Sequence, residues 1–238
     1  MYIFMVIMLG MALIPAFIYK YAETNVTMEG QRFPLDILKS NLEMLLPIFL
    51  SILIADLITD EYKDGTLKLP LIHPISRTSL LNSKIASLAI ALLVLIFFSL
   101  ISSYIIGFIF FGAGEGLNIY GETYSTGYGF LVTMFSHLIA IIPLLAFGMV
   151  IVLLSLNMSS SGGVVGASIG IIFGLNILGQ LSKTIRPYLI NTYFSLHGII
   201  LNSSSQISLS KSIIVIFSYG VISYLISLKI FNKKDIIY

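Results

Sequence analysis

Six long apolar segments alternate with shorter polar ones along this chain. They lie at about residues 1–19, 42–59, 84–111, 129–156, 160–181 and 211–231. A helix of about 20 mainly apolar residues crosses the hydrocarbon core of a bilayer. The pattern therefore predicts an all-α integral membrane protein with six transmembrane helices, forming a single transmembrane domain over residues 1–238.

The first segment, MYIFMVIMLGMALIPAFIYK, has two interpretations. A cleaved signal peptide would carry a positively charged start and a cleavage site of small residues. This segment lacks the positive start, and Ala16-Phe17-Ile18 fits a cleavage site poorly. We therefore expect a span that is retained in the protein.

The composition is that of a protein whose solvent is largely lipid. Of the 238 residues, 57% are hydrophobic and 10% are charged, and the mean hydropathy is +1.00. Soluble domains carry roughly 25% charged residues. The absence of cysteine excludes disulfides, thiolate catalysis and Cys-ligated metals. A net charge of +2 without a Lys/Arg-rich run argues against nucleic acid as a partner, and no metal site is expected.

The distribution of Lys and Arg leaves the orientation open. Six spans place both termini on one side of the membrane, together with the connection between the second and third spans. That side has seven Lys and Arg residues and the opposite side has six. The positive-inside rule does not separate counts this close. The FNKKD cluster at 231–235 weakly favours a cytoplasmic C-terminus.

The other connections are predicted from their turn residues. Segment 112–128, GAGEGLNIYGETYSTGY, is typical of an exposed loop rich in turns. Residues 157–161, NMSSS, indicate a tight connection between the fourth and fifth spans. Residues 182–210 form a last loop, in which we expect a short helix at the membrane surface.

A polar insert, residues 60–84, interrupts the apolar pattern with DEYKDGTLKLPLIHPISRTSLLNSK. Gly65 is expected to bend or end the preceding helix, and two prolines bias the residue before each of them toward extended backbone. Ser76 or Thr78 can cap the helix that follows. Five aliphatic residues between Gly65 and Ser76 supply apolar surface, so we expect a compact elbow beneath the bilayer.

Three aspartates lead into the insert. Asp56, Asp60 and Asp64 recur every four residues, so they share one face of a helix. Asp56 lies about one turn inside the apolar segment, where a carboxylate facing lipid is unfavourable. We therefore expect Asp56 to face the helix bundle or a wet cavity. The emergence of a helix end into water explains Asp60 better than it explains Asp56.

The insert also carries a recognisable pattern: E-x-x-x-G-T-L, then P-I-S-R, then a lysine that enters the next span. The matching residues are Glu61, Gly65, Thr66, Leu67, Pro74, Ile75, Ser76, Arg77 and Lys84. This pattern resembles the membrane subunit of type-2 ATP-binding-cassette exporters. The SSSGG entry to the fifth span and the F-x-x-x-D ending resemble bacterial members near the bacitracin and lantibiotic-immunity permeases. The polar elbow that precedes the first span in the family has no counterpart here, so a polar leader ahead of Met1 is a further expectation.

The resemblance implies a partner and an orientation. In such exporters the segment between the second and third spans docks onto a separate ATPase subunit. Gly65-Thr66 would fit a groove on that ATPase, and Glu61, Lys63 and Arg77 would be charge partners at its rim. The coupling residues thus implied are Glu61, Lys63, Gly65, Thr66, Leu67, Pro74, Ser76 and Arg77. The insert and both termini would face the cytoplasm of a bacterial cell.

ATP binding is expected outside this chain. The sequence contains no G-x-x-x-x-G-K-[ST] phosphate loop and no Gly-Lys pair. ATP and Mg would therefore be bound by the partner ATPase. The chain itself is interpreted as a permease subunit with no enzymatic site and no cofactor of its own.

The fifth span carries a ridge of small residues, called here the glycine ridge: Gly162, Gly166, Gly170 and Gly174. Such ridges let helix backbones approach closely in lipid. Packing within the chain is the preferred interpretation, and a seam with a second permease, identical or related, is the alternative. Asn176 and Gln180 lie on a neighbouring stripe with Ser168 and can hydrogen-bond across helices.

The function predicted is export of amphipathic or hydrophobic cargo, such as a peptide antibiotic or a lipid, in a role connected with antibiotic resistance. Ion export stays open. One alternative is a membrane-embedded enzyme, for which Asp56 and His137 are the chief intramembrane candidates, although they lie on different spans. Another is an ion-coupled transporter or accessory membrane anchor, which Asp56 alone supports only weakly.

Overall fold

The computed structural model describes residues 1–21, 28–61, 76–114, 116–119, 121–202 and 207–233. Within these residues, six helices are long and apolar enough to cross a membrane. They are Tyr2–Tyr21, Phe33–Asp60, Arg77–Phe111, Thr126–Asn157, Ser161–Leu181 and Leu209–Lys233, called the first to sixth spans below. The predicted set of six long apolar helices is confirmed, and their length and composition are those of a multi-pass helical membrane protein.

The second span begins at Phe33, whereas the apolar pattern placed its start at about residue 42. Its first two turns, Phe33–Ser40, form an amphipathic helix in which Phe33 and Leu38 are buried and Lys39 is exposed. A count of apolar residues overlooks such a helix because its polar face lowers the mean hydropathy.

The third span also starts earlier than predicted, at Arg77 rather than at about residue 84. Its first turn is capped by Ser76, whose Oγ accepts a hydrogen bond from the backbone N–H of Ser79 at 3.1 Å. Of the two predicted caps, the structure therefore uses Ser76.

The second span is interrupted by wider turns. Two α-helical stretches, Phe33–Ser40 and Leu46–Ile54, are separated by a π-helical stretch, Asn41–Leu45. A second π-helical stretch, Ala55–Asp60, ends the span. Such wide turns change the direction in which successive side chains point, and they occur often at functional sites.

The connection after the third span contains a small hairpin that the sequence analysis did not predict. Strand β1, Leu117–Ile119, pairs in antiparallel fashion with β2, Glu122–Tyr124. Gly112 and Gly121 have positive φ angles of 75° and 86°, a backbone conformation that favours glycine. The turn-rich character predicted for this loop is confirmed.

The two later connections agree with their predicted character. The fourth and fifth spans are joined tightly, and Ser160 caps the fifth span by accepting a hydrogen bond from the N–H of Gly163 at 3.2 Å. The last loop contains the 3₁₀ turns Arg186–Tyr188 and Ile190–Tyr193. It also contains the short helix that was expected, Leu196–Leu201, although Leu196 and His197 are buried.

The chain divides into two compact units. The first unit comprises Met1–Glu43, Ala91–Ile141 and Ser195–Gln206. One of its apolar clusters joins the first, second and third spans through Ala12, Ala16, Phe33, Ile37 and Ile106.

The second unit comprises Met44–Ile90, Ile142–Phe194 and Ile207–Tyr238. Here the α-helical stretch Leu46–Ile54 packs against the fifth span. The fifth span buries Val164, Ser168 and Ile172, which recur every four residues and therefore lie on one face.

Candidate functional site

The polar insert is the predicted coupling site, and the structure describes both of its ends. Glu61, Ser76 and Arg77 are among the described residues. The other implied coupling residues lie outside the described residues: Lys63, Gly65, Thr66, Leu67 and Pro74. The insert junction is the name used below for the described residues that flank this stretch: Asp60, Glu61, Ser76, Arg77 and Lys84.

Lys84 ties the two sides of the insert together. Its Nζ donates to the carboxylate of Glu61 at 2.6 Å and to the backbone carbonyl of Leu57 at 2.7 Å. The residue is only 7% exposed, so its ammonium group needs such partners in place of water. One buried lysine on the third span thereby holds the last turn of the second span.

The Glu61–Lys84 ion pair was not predicted. The two residues are 23 positions apart. Periodicity along a helix relates residues three or four positions apart, so it could not indicate this pair. Both residues belong to the motif that resembles the exporter family. This was the only indication in the sequence that the two residues are related. Glu61 was interpreted as a rim contact for an ATPase, but in the structure its carboxylate already pairs within the chain.

Arg77 fastens the start of the third span to the sixth span. Its Nη1 donates to the backbone carbonyl of Asn232 at 3.1 Å. One turn further on, the hydroxyl of Tyr224 donates to Oδ1 of Asn82 at 2.8 Å. Two hydrogen bonds therefore join the cap region of the third span to the last turns of the sixth.

Asp60 fastens the other side of the insert to the fifth span. The hydroxyl of Ser161, the first residue of that span, donates to the carboxylate of Asp60. The neighbouring Thr59 donates to the carbonyl of Ser155 in the fourth span at 3.4 Å. The π-helical end of the second span is thus held by polar contacts to two further spans.

The charged residues of the insert junction bind partners within the chain. Within the described residues its acids and bases are engaged in ion pairs and hydrogen bonds. No group of three or more His, Asp or Glu residues in the described ranges could hold a metal ion.

Asp56 was expected to face the helix bundle or a wet cavity, and the structure does not bury it in the bundle of this chain. Its side chain is exposed, whereas Asp60, one turn later, is half-buried. The physical reason lies in the π-helical stretch Ala55–Asp60, whose wider turn alters the angle between successive side chains. The shared face predicted for the aspartates assumed a regular α-helix.

The glycine ridge is open. A Cβ atom placed on any of the four glycines would meet no atom of a neighbouring element within 4 Å among the described residues. The buried residues of the fifth span lie on a different face, centred on Ser168. Packing within the chain, the preferred interpretation, thus finds no partner for the ridge among the described residues.

Of the polar stripe formed by Ser168, Asn176 and Gln180, Asn176 makes a hydrogen bond outside its own helix. Oδ1 of Asn176 accepts a hydrogen bond from Nδ2 of Asn191 at 2.7 Å. Asn191 belongs to a 3₁₀ turn of the last loop, so the bond does not join two spans. Ser168 donates to the carbonyl of Val164 in its own helix, and Gln180 is exposed.

Buried polar side chains also occur inside the first unit. Nδ2 of Asn41 donates to Oγ of Ser99 at 3.0 Å, which links the second and third spans. His137 is 1% exposed, and its Nδ1 lies 2.8 Å from the carbonyl of Thr133 in the same helix. Hydrogen bonds of this type help to hold helices together where there is no water.

Comparison with known proteins places the chain in a family. The protein "Uncharacterized protein YhcI" of Bacillus subtilis (strain 168) is 33% identical over 106 residues, which is 42% of this chain and 32% of that protein. The match spans about a third of the length of this relative. The family described as "Protein of unknown function (DUF2705)" matches over residues 2–237, which includes all six spans and the insert. The chain therefore belongs to the DUF2705 family.

Proposed function

We propose that this chain is the permease subunit of an ATP-driven exporter in a bacterial cell membrane. The observation that carries the proposal is the insert junction. A segment that only connected two spans would not need a buried lysine, a helix cap and contacts to other spans at its two ends. A segment that receives force does need them, because its displacement has to be passed on to the helices.

The force would come from a separate cassette ATPase, which binds ATP and Mg. When that ATPase closes on ATP, it would push the cytoplasmic insert. The Glu61–Lys84 pair would carry the displacement to the second and third spans. The contacts of Asp60 with Ser161, and of Arg77 with the end of the sixth span, would carry it further.

A second permease subunit, identical or related, completes the proposed working unit of two permeases and two ATPases. The open glycine ridge supports this, because a helix without side chains on one face allows another helix to approach closely. Any matching surface on the second subunit would bury the ridge in the membrane.

The cargo proposed is amphipathic or hydrophobic, such as a peptide antibiotic or a lipid. A groove of about 320 Å³ in the second unit supports this choice. It is lined by the third, fourth and sixth spans, and small residues such as Ala146 and Gly220 leave room at its floor. Apart from Tyr224 its lining is apolar, which suits a hydrocarbon chain better than an ion.

The absence of native cysteine allows a direct test. Thr66→Cys introduces a single thiol into the insert, and Asn118→Cys introduces one into strand β1, where residue 118 is exposed. Each variant is treated in cells with a thiol-specific photocrosslinker. We expect T66C to capture a polypeptide that carries a phosphate loop, and N118C to capture none.

The same two variants test the orientation. A membrane-impermeant thiol reagent should label N118C in intact cells and T66C only after the cells are permeabilised. If T66C is labelled from outside, or if its crosslinks are confined to lipid and to the protein itself, the exporter proposal is wrong.

A further inference from the structure

Four charged residues occupy the start of the second span and the residue before it. Nε of Arg32 lies 3.5 Å from Oδ2 of Asp36, so these two form an ion pair. Lys39 and Glu43 follow, and neither has an ion-pair partner within the part of the chain that the structure describes. All four belong to the first unit.

Two cavities of the first unit open beside these charges. The smaller cavity, about 200 Å³, is lined by Arg32, Leu35, Asp36, Lys39, Ile119 and His197. The larger one, about 340 Å³, shares Arg32, Asp36 and Lys39 with it. Glu43 lines only the larger cavity, so the charge left unbalanced in the smaller one is that of Lys39.

His197 gives the smaller cavity a buried polar wall. The residue is 5% exposed, and its Nδ1 has no hydrogen-bond partner among the described residues. Burial and the positive charge of Lys39 lower the pKa of His197 to about 4, so the ring is neutral near pH 7. A buried ring nitrogen without a partner is unfavourable, and a bound polar group would relieve this.

The position along the span indicates the source of such a group. The second span has 28 residues, whereas the hydrocarbon core of a bilayer needs about 20. Its ends therefore extend to the level of the lipid headgroups. Lipid phosphates lie at that level, so the first turns of the second span, which include Lys39, are where a lipid phosphate would be within reach.

We propose that the smaller cavity binds the phosphate group of an anionic membrane lipid. Lys39 supplies the positive charge, and the neutral ring of His197 supplies an N–H donor. Leu35 and Ile119 offer apolar surface to the carbon atoms next to the phosphate. Inorganic phosphate carries the same group without those carbon atoms and is the second possible source. This site does not depend on the exporter function, and either proposal can fail without the other.

The test uses the purified full-length protein in detergent and counts bound phosphatidylglycerol by native mass spectrometry. Lys39→Gln removes the charge from an exposed residue. We expect its affinity for phosphatidylglycerol to fall about tenfold, as for the loss of one charge-assisted hydrogen bond. Lys39→Arg keeps the charge and should bind as the unaltered protein does.

Lys20→Gln is the matched control. Lys20 belongs to the same unit and lies over the ring of Phe110 at 5.2 Å, but it lines neither cavity. K20Q should change the affinity less than twofold, which corresponds to about 0.4 kcal/mol. Equal losses in K39Q and K20Q, or no loss in K39Q, would overturn the proposal.

Two further ligands distinguish the sources of the phosphate. Phosphatidylcholine, whose headgroup has no net charge, should bind more weakly than phosphatidylglycerol. Inorganic phosphate should displace phosphatidylglycerol only at a large excess, because it lacks the apolar contacts with Leu35 and Ile119. If inorganic phosphate binds more tightly than the lipid, the lipid assignment is wrong. His197→Phe should also weaken phosphatidylglycerol binding, and unchanged binding would contradict the role given to the ring.

Discussion

Two lysines in this chain have opposite surroundings. Lys84 in the second unit is buried and donates to both a carboxylate and a backbone carbonyl. Lys39 in the first unit is exposed, lines two cavities and has no ion-pair partner among the described residues. The comparison separates two uses of charge in an apolar protein: a satisfied lysine fixes helices, and an unsatisfied one is available to a ligand.

The cause of the difference is access to water. A buried ammonium group loses its hydration, so it is tolerated only where the protein replaces every lost contact. An exposed ammonium keeps its hydration until something with opposite charge displaces the water. Substitutions at the insert junction should therefore change stability, and substitutions around Lys39 should change binding. The predictions below test this division.

The largest effect is expected at Lys84. Lys84→Met keeps the length of the side chain but leaves the carboxylate of Glu61 without its partner. We expect the free energy of unfolding to fall by about 3 kcal/mol, toward the lower end for a broken buried ion pair, because Glu61 is partly exposed. Denaturant titration in detergent measures the change.

The double variant Glu61→Gln, Lys84→Met is its control. With both charges removed, no unpaired ion remains, and part of the lost stability should return. A double variant less stable than K84M alone would contradict the role assigned to the pair.

The next largest effect is expected in the pH dependence of stability, and it concerns His197, which lines the same cavity as Lys39. The pKa of His197 is about 4 in the folded protein, because of burial and of Lys39, and its ordinary value is 6.5. The neutral ring stabilises the fold fully above pH 6.5, and this contribution is lost as the pH falls toward 4. Between pH 7 and pH 5 it should amount to about 2 kcal/mol.

His197→Gln lacks this contribution, so its free energy of unfolding should depend less on pH over the same interval. Groups that do not interact with His197 contribute equally to both profiles and cancel in the difference. Parallel pH profiles for the two proteins would mean that His197 is not held neutral by its surroundings.

A smaller effect is expected at the cap of the third span. Ser76→Ala removes the oxygen that accepts the N–H of Ser79, and the loss of such a cap costs about 1 kcal/mol. Ser79→Ala is the matched control, because only its backbone takes part in the bond. If both variants lose the same stability in thermal unfolding, Ser76 does not act as a cap.

The smallest effect is expected at Asp56. Asp56→Asn changes an exposed side chain, so the free energy of unfolding should change by less than about 0.5 kcal/mol. Transport should also be unaffected, because this carboxylate has no part in the proposed mechanism. Loss of transport in D56N with normal folding would favour an ion-coupled transporter instead.

The sequence was a good guide where the signal is a long run of apolar residues. All six spans follow from such runs, and Ser76 was one of the two residues predicted to cap the third span. Phe33–Ser40 was missed as part of the second span, because its polar residues occupy one face of a helix and lower the average hydropathy.

The contacts between elements could not be predicted in the same way. The partners Glu61 and Lys84, or Arg77 and the carbonyl of Asn232, are brought together by the packing of spans. His197 belongs to a short loop helix with no sequence pattern of its own, and only the structure places it beside Lys39. The position of Asp56 outside the bundle, and away from the face of Asp60, could not be read from the sequence because a π-helical turn has no clear sequence signature.

The contact of Arg77 with a main-chain oxygen has a practical consequence for engineering the C-terminus. Because the acceptor is the carbonyl of residue 232 and not its side chain, almost any amino acid can stand there without loss. A deletion that unwinds the final turn, or a rigid fusion that bends it, removes the acceptor altogether. Tags and reporters should therefore be joined through a long flexible linker placed after the last residue.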